Sequence, residues 1–144
     1  MTEELVNLLK EAIEMELSAC IRYMWQSVAL EEAVHPGLKV TFKDNSIEKL
    51  KRGIALGGRL FFLEGVPATQ PSPVDIGNSL KEMIDMDLKA ANHAISIYNE
   101  ITGVATREKD VDTHLLCEKI LAEEEQLKHM LMCEQGRLHT KLIK

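Results

Sequence analysis

Aromatic side chains make up only 4% of this 144-residue chain, one Trp, two Tyr and three Phe, so the interior must be built mainly from aliphatic groups. Cysteine is as scarce. Cys20, Cys117 and Cys133 stand far apart with no CxxC pair, which argues against a disulfide framework and fits a reducing compartment. No apolar run reaches the ~20 residues that a membrane helix needs. The start, MTEELVNLLKEAIEME, is amphipathic and acidic, unlike a secretory signal or an Arg-rich transit peptide, so a cytoplasmic location and no membrane partner are expected. Basic clusters are missing too: 17 Lys and Arg are scattered among 23 Asp and Glu, leaving a formal charge of -6. That balance speaks against nucleic acid and suits cations.

What is present is helical periodicity. With 45% hydrophobic residues the chain can bury the core of one domain, taken as 1–144. Leu5, Leu9, Ala12, Ala19, Tyr23 and Leu30 recur at three- and four-residue steps, predicting a helix from Glu3 to about Val34, broken by His35-Pro36-Gly37. A second helix is expected from about Leu38 to Glu64, with Phe42, Leu56, Leu60 and Leu63 inward and Gly65 as its cap ahead of Pro67. Three of the four prolines fall in VPATQPSPVDIGN, residues 66–78, which reads as a loop. Ser79 and Glu82 form a capping-box pattern opening a third helix, Leu80 to about Thr102, with Gly103 as its stop. A fourth runs from near Arg107 to about Leu142, seamed by Leu116, Ile120, Leu127 and Leu131. No strand pattern is visible.

Four long amphipathic helices must bury their stripes on one another, which makes the fold all-α, a four-helix bundle. The short links after helices one and three suit antiparallel neighbours, whereas the long middle segment can run back along the bundle as a crossover between helices two and three.

Charges interrupt three of the stripes. Glu16 lies between Ala12 and Ala19, Glu124 between Ile120 and Leu127, and Lys49 between Phe42 and Leu56 with Arg52 one turn on. Ionised groups inside a bundle are costly unless paired, so Glu16, Lys49, Arg52 and Glu124 are expected to satisfy one another as a core ion-pair network. The alternative is that the two long cations snorkel outward.

These segments resemble a known family. SIE followed by LFFLEGVP, MELSACIRY around Glu16, and AEEEQLKHM in the last helix are similar to bacterioferritin, the haem-containing branch of the ferritin-like superfamily, over nearly the whole chain. The resemblance implies a ferritin-like bundle that oxidises and stores iron as a cage and binds haem between paired subunits. It implies a di-iron centre taking one Glu from the first helix, a Glu-x-x-His pair from the second, one Glu from the third and a Glu-x-x-His pair from the fourth. Matched residue by residue, Glu16 and Glu124 keep the metal-ligand positions, and Tyr23 matches a tyrosine beside the site. The other four ligand positions fall on Lys49, Arg52, Ala91 and Leu127, and the haem-ligating methionine falls on Leu50. The resemblance thus implies iron as cargo, no catalytic residue and no haem, with two carboxylates facing one Lys and one Arg where the family sets four carboxylates against two iron(II) ions.

The expected function is therefore an iron-homeostasis or iron-storage subunit whose ferroxidase centre is replaced by ion pairs. The alternative is an active oxidase with an unorthodox ligand set such as Glu16, Glu124 and His129. A drift to protein binding is a third reading. The family ends with a short fifth helix that lines a cage axis, and this sequence stops almost as its fourth helix ends, so a homodimer is the smallest assembly expected, with a cage or other ferritin-like subunits left open. Outside the core, Glu125, His129 and Cys133 share one helical face and could offer donors to zinc or copper(I), but read mainly as a solvated face. His114 with Glu118, and His93 near Ala91, read as surface polar groups, and Cys20 as a core filler.

Overall fold

The computed structural model describes residues 3–143, with side chains described through 140; Met1, Thr2 and Lys144, the ends of the expected 1–144 domain, lie outside the described residues. Its elements are α1 (Glu3–Ala29), α2 (Pro36–Phe62), α3 (Leu80–Arg107) and α4 (Val111–Ile143). The bundle is ferritin-like and all-α, with α1 packed along α2, α3 along α4, and looser contacts of α1 with α3 and of α2 with α4. Cross-links fix the directions. Cys20 meets Ser46, Arg22 meets Asp87, Lys49 meets Glu124 and Gln135 meets Asp85, while Lys39, Arg107, Arg59 and His114 meet Leu30, Glu4, Asp110 and Thr106 further along, so every neighbouring pair is antiparallel.

That arrangement needs the long connection. At ~1.5 Å per residue α2 is about 40 Å long, and a chain of ~3.3 Å per residue can retrace it in the stretch between Phe62 and Leu80. The strap is clipped to the bundle, since Ser18 Oγ donates to the Ser72 carbonyl and Gln26 Nε2 to the Ile76 carbonyl, each at 3.1 Å. Ser79 then caps α3 by accepting from Glu82 N, and Glu82 reaches back to the amide of Asn78.

The helix ends depart from expectation in four places. The fourth helix starts at Val111 instead of near Arg107, which is the last residue of α3, and Asp110 caps it by accepting from Thr113 N. The first helix stops at Ala29 instead of Val34, and Lys39 from α2 donates to the carbonyls of Ser27 and Leu30, supplying the basic group that its last turn lacks. Gly103 does not end α3. The helix continues to Arg107 because Ile101, Val104 and Ala105 are buried on its inner face, and packing outweighs the weak helix propensity of one exposed glycine. At the end of α2 the left-handed residue is Glu64, φ 62°, rather than Gly65. Gly65 is needed for space: a Cβ there would come within 2.3 Å of Leu60 Cδ1.

The aliphatic core forms two clusters. One gathers Leu5, Leu9, Leu56, Leu60, Ile101 and Ile120; the other gathers Tyr23, Phe42, Ile84, Ala91 and Leu131. Between them lies a polar layer.

Candidate functional site

The polar layer draws one side chain from each of α1, α3 and α4 and two from α2. Lys49 and Arg52, three residues apart and therefore on one face, project from α2 toward Glu124 of α4 and Glu16 of α1. All four are buried, none more than 7% exposed. Lys49 Nζ and Arg52 Nη1 each lie 2.6 Å from Glu124 Oε2. Glu16 stands further off, 3.9 Å from Lys49 and 3.8 Å from Arg52, and takes its close hydrogen bond from the Tyr98 hydroxyl of α3.

The electrostatics follow the distances. Burial raises the Glu16 pKa above the usual carboxylate value, and Lys49, Arg52 and the Tyr98 hydrogen bond pull against it only in part. Burial works against the Arg52 charge, yet Glu16 and Glu124 hold its pKa above the ordinary guanidinium value. Tyr23 and Tyr98 are both pushed up by burial and by nearby carboxylates, so both remain neutral phenols.

The remaining positions are placed as follows. Ala91 is buried on α3 and brings no donor to the layer, Leu127 is half-buried, and Leu50 faces out from α2. His129, Glu125 and Cys133 are exposed, with Cys133 Sγ 3.8 Å from His129 Nε2. His114 pairs with Glu118 at 3.6 Å, His93 is exposed, and Cys20 is half-buried against Ser46. Among the described residues no three His, Cys, Asp or Glu side chains come together as a group that could hold a metal ion.

A second buried polar cluster was not anticipated. Asp87 of α3 is 1% exposed and accepts at Oδ1 from Arg22 Nε at 2.8 Å and Gln26 Nε2 at 3.1 Å. Burial pushes its carboxyl up to about 6 against the pull of Arg22 and Gln26. Its position, three residues after Ile84 and four before Ala91, was the available signal.

Residues 6–137 match the family described as ferritin-like domain. This chain belongs to the ferritin-like family. Its relatives include a bacterioferritin of Brucella melitensis, 29% identical over 123 residues, covering 85% of this chain and 76% of the relative. A Desulfovibrio desulfuricans bacterioferritin is 26% identical over 139 residues, covering 96% and 76%. The ferritin-like fold is equally plain in solved structures. A Mycobacterium tuberculosis bacterioferritin superimposes with a TM-score of 0.91 at 20% identity, covering 97% of this chain and 89% of that one. A Rhodobacter capsulatus bacterioferritin, described with a metal-free dinuclear site and haem iron, gives 0.89 at 22% identity, covering 99% and 89%. With these relatives the chain is a divergent ferritin-like protein of the bacterioferritin type, and among its described residues no helix is long and apolar enough to cross a membrane.

Proposed function

We propose that this protein is a non-catalytic, bacterioferritin-like subunit of iron storage, in which a fixed ion-pair network stands where the family resemblance sets a di-iron centre. The observation that carries this reading is the convergence of Lys49 and Arg52 on Glu124 Oε2 at 2.6 Å each. Those heads fill the space between the carboxylates that a metal would need. Two cations also balance Glu16 and Glu124, so iron(II) entering the layer would find its counter-charge already taken and too few donors. The residues present therefore do not fit a metal pair. Leu50, at the haem-ligand position, has no atom able to ligate iron, so haem has no part in this reading.

Assembly is read from the outer face. Trp25 and Val28 on α1, with Ile47, Leu50, Ile54 and Phe61 on α2, are all exposed, and the α2 set recurs with helical spacing. An apolar stripe of this length on adjacent helices suits a homodimer, self-complementary about a two-fold axis. Light scattering should give twice the chain mass, and Ile54→Lys should reduce it to the monomer value. A monomeric wild-type protein would refute the dimer.

The functional test is an anaerobic iron(II) titration of metal-stripped protein, followed by admission of air and absorbance in the ferric-oxo region. No stoichiometric binding and no fast oxidation are expected. The variant Lys49→Glu/Arg52→His/Ala91→Glu/Leu127→His, which rebuilds six donors, should gain iron(II) binding. Stoichiometric binding with rapid oxidation by the wild type would overturn the proposal and mean a working oxidase.

A further inference from the structure

Between α1 and α3, beneath the strap, lies a cavity of about 380 Å³ whose inner end is lined by Glu16, Lys49 and Glu124 of the ion-pair layer. Its volume falls within the range of small-molecule sites, ~300 to 1,000 Å³. Three side chains that line it are each no more than 1% exposed and present a polar atom with no protein hydrogen-bond partner: Glu16 Oε2, Asp87 Oδ2 and the Tyr23 hydroxyl. Buried polar atoms are seldom left unpaired, since an orphaned one has given up its water without gaining a partner. When ionised the two carboxylates can only accept, so what satisfies them in that form must donate.

The charge of the lining sharpens this. Glu11, Glu14, Glu16, Asp87 and Glu124 face Arg22 and Lys49, and even with Arg52 added just behind Glu124, negative charge is in surplus. The two orphan carboxylate oxygens lie at different levels of the bundle. Glu16 precedes Arg22, the partner of Asp87, by six residues of α1, about 9 Å of helix rise. The wall between those levels is apolar, formed by Met15, Ala19, Ala90 and Ala94. A single metal ion cannot reach both levels, in keeping with the absence of a metal-holding group of three acidic, His or Cys side chains among the described residues.

We propose that this cavity binds a linear aliphatic diamine, one ammonium head on Glu16 Oε2, the other on Asp87 Oδ2, with the alkyl chain along the alanine wall. Each ammonium supplies the donors that the orphan oxygens lack, and the chain length sets the spacing between them. The ion-pair layer is not required to be inactive for this to hold: the diamine takes Glu16 Oε2, which Lys49 Nζ approaches only to 3.9 Å, and leaves Oε1 to Tyr98 and Arg52.

Calorimetric titration of the purified full-length protein with 1,5-diaminopentane at pH 7.5 and low salt tests it. Saturable binding of one diamine per chain is expected, with 1-aminopentane at least tenfold weaker. Ala90→Leu, which fills the cavity without touching a charge, should abolish the heat while circular dichroism and the thermal midpoint show an intact bundle. Asp87→Asn, which keeps an oxygen for Arg22 and Gln26 but removes one acceptor charge, should weaken the diamine tenfold and leave the monoamine nearly unchanged. Absence of binding would overturn the proposal and leave the cavity to water. So would equal affinity for the monoamine or for magnesium, or an Ala90→Leu protein that binds like wild type.

Discussion

Lys49 and Arg52, one helical turn apart on α2, donate to the same oxygen atom, Oε2 of Glu124, each at 2.6 Å. Glu124 is therefore the tight partner of both cations, whereas Glu16 is held chiefly by Tyr98 and stands nearly 4 Å from either head. The two carboxylates look equivalent in the sequence and are unequal in the folded chain.

Glu124→Gln should lower stability by roughly 3–5 kcal/mol, because two buried cations would then face only the more distant Glu16. Glu16→Gln should be milder, since burial already disfavours the charged form of that side chain. Urea unfolding of the two variants checks the order, and equal losses would contradict the asymmetry.

Tyr98→Phe removes the hydroxyl that donates to Glu16 Oε1 and leaves that oxygen buried without its close donor. A loss of about 1–3 kcal/mol is expected, measured by the same unfolding curves. A negligible change would mean that Glu16 draws its support from the cations after all.

Asp87 makes a prediction about pH. Its folded-state carboxyl titrates at about 6 against an ordinary value of 3.8, so between those limits the native protein holds a proton that the unfolded chain has released. The contribution of this group to stability is present below pH ~4, falls as pH rises and is lost above ~6, on the order of 3 kcal/mol in all. Thermal midpoints of wild type and Asp87→Asn compared from pH 4 to 7.5 should diverge in the variant's favour as pH rises. Parallel curves would show that Asp87 does not titrate in this window.

The cysteines should separate by reactivity. Cys133 is exposed, Cys20 half-buried and Cys117 buried, and burial pushes the Cys117 thiol up to about 12. At pH 8 a thiol reagent should label Cys133 first and Cys117 only on unfolding, and Cys133→Ser should remove the fast phase. Fast labelling of Cys117 would mean that the α1–α4 core opens readily.

Gly65→Ala should destabilise by about 1–3 kcal/mol, since the added methyl would drive Leu60, fully buried in the core, out of its place. A neutral outcome would show that the end of α2 shifts without strain.

Much of the bundle was legible in the sequence because aliphatic spacing and a proline-rich segment speak directly to helices and a crossover. The position of Lys49 and Arg52 on the stripe of Phe42 and Leu56 was legible for the same reason. Their convergence on one oxygen was not, since spacing along a helix says nothing of how far a facing carboxylate reaches. Asp87 escaped because its partners, Arg22 and Gln26, lie some 60 residues earlier in the chain and meet it only through the antiparallel packing of α1 and α3. The stop expected at Gly103 failed because propensity is local and weak, while the burial of Ile101, Val104 and Ala105 is a property of the assembled bundle.

The counter-charge in the core of this protein is tethered to the backbone. An ion held by ligands comes and goes with its concentration, and a bundle that relied on one would gain stability by mass action as the ion became plentiful. Lys49 and Arg52 are present at one each per chain from the moment of synthesis and have no dissociation constant. On the proposed non-catalytic reading, the folding equilibrium set by this layer should be the same in a chelator as in excess iron.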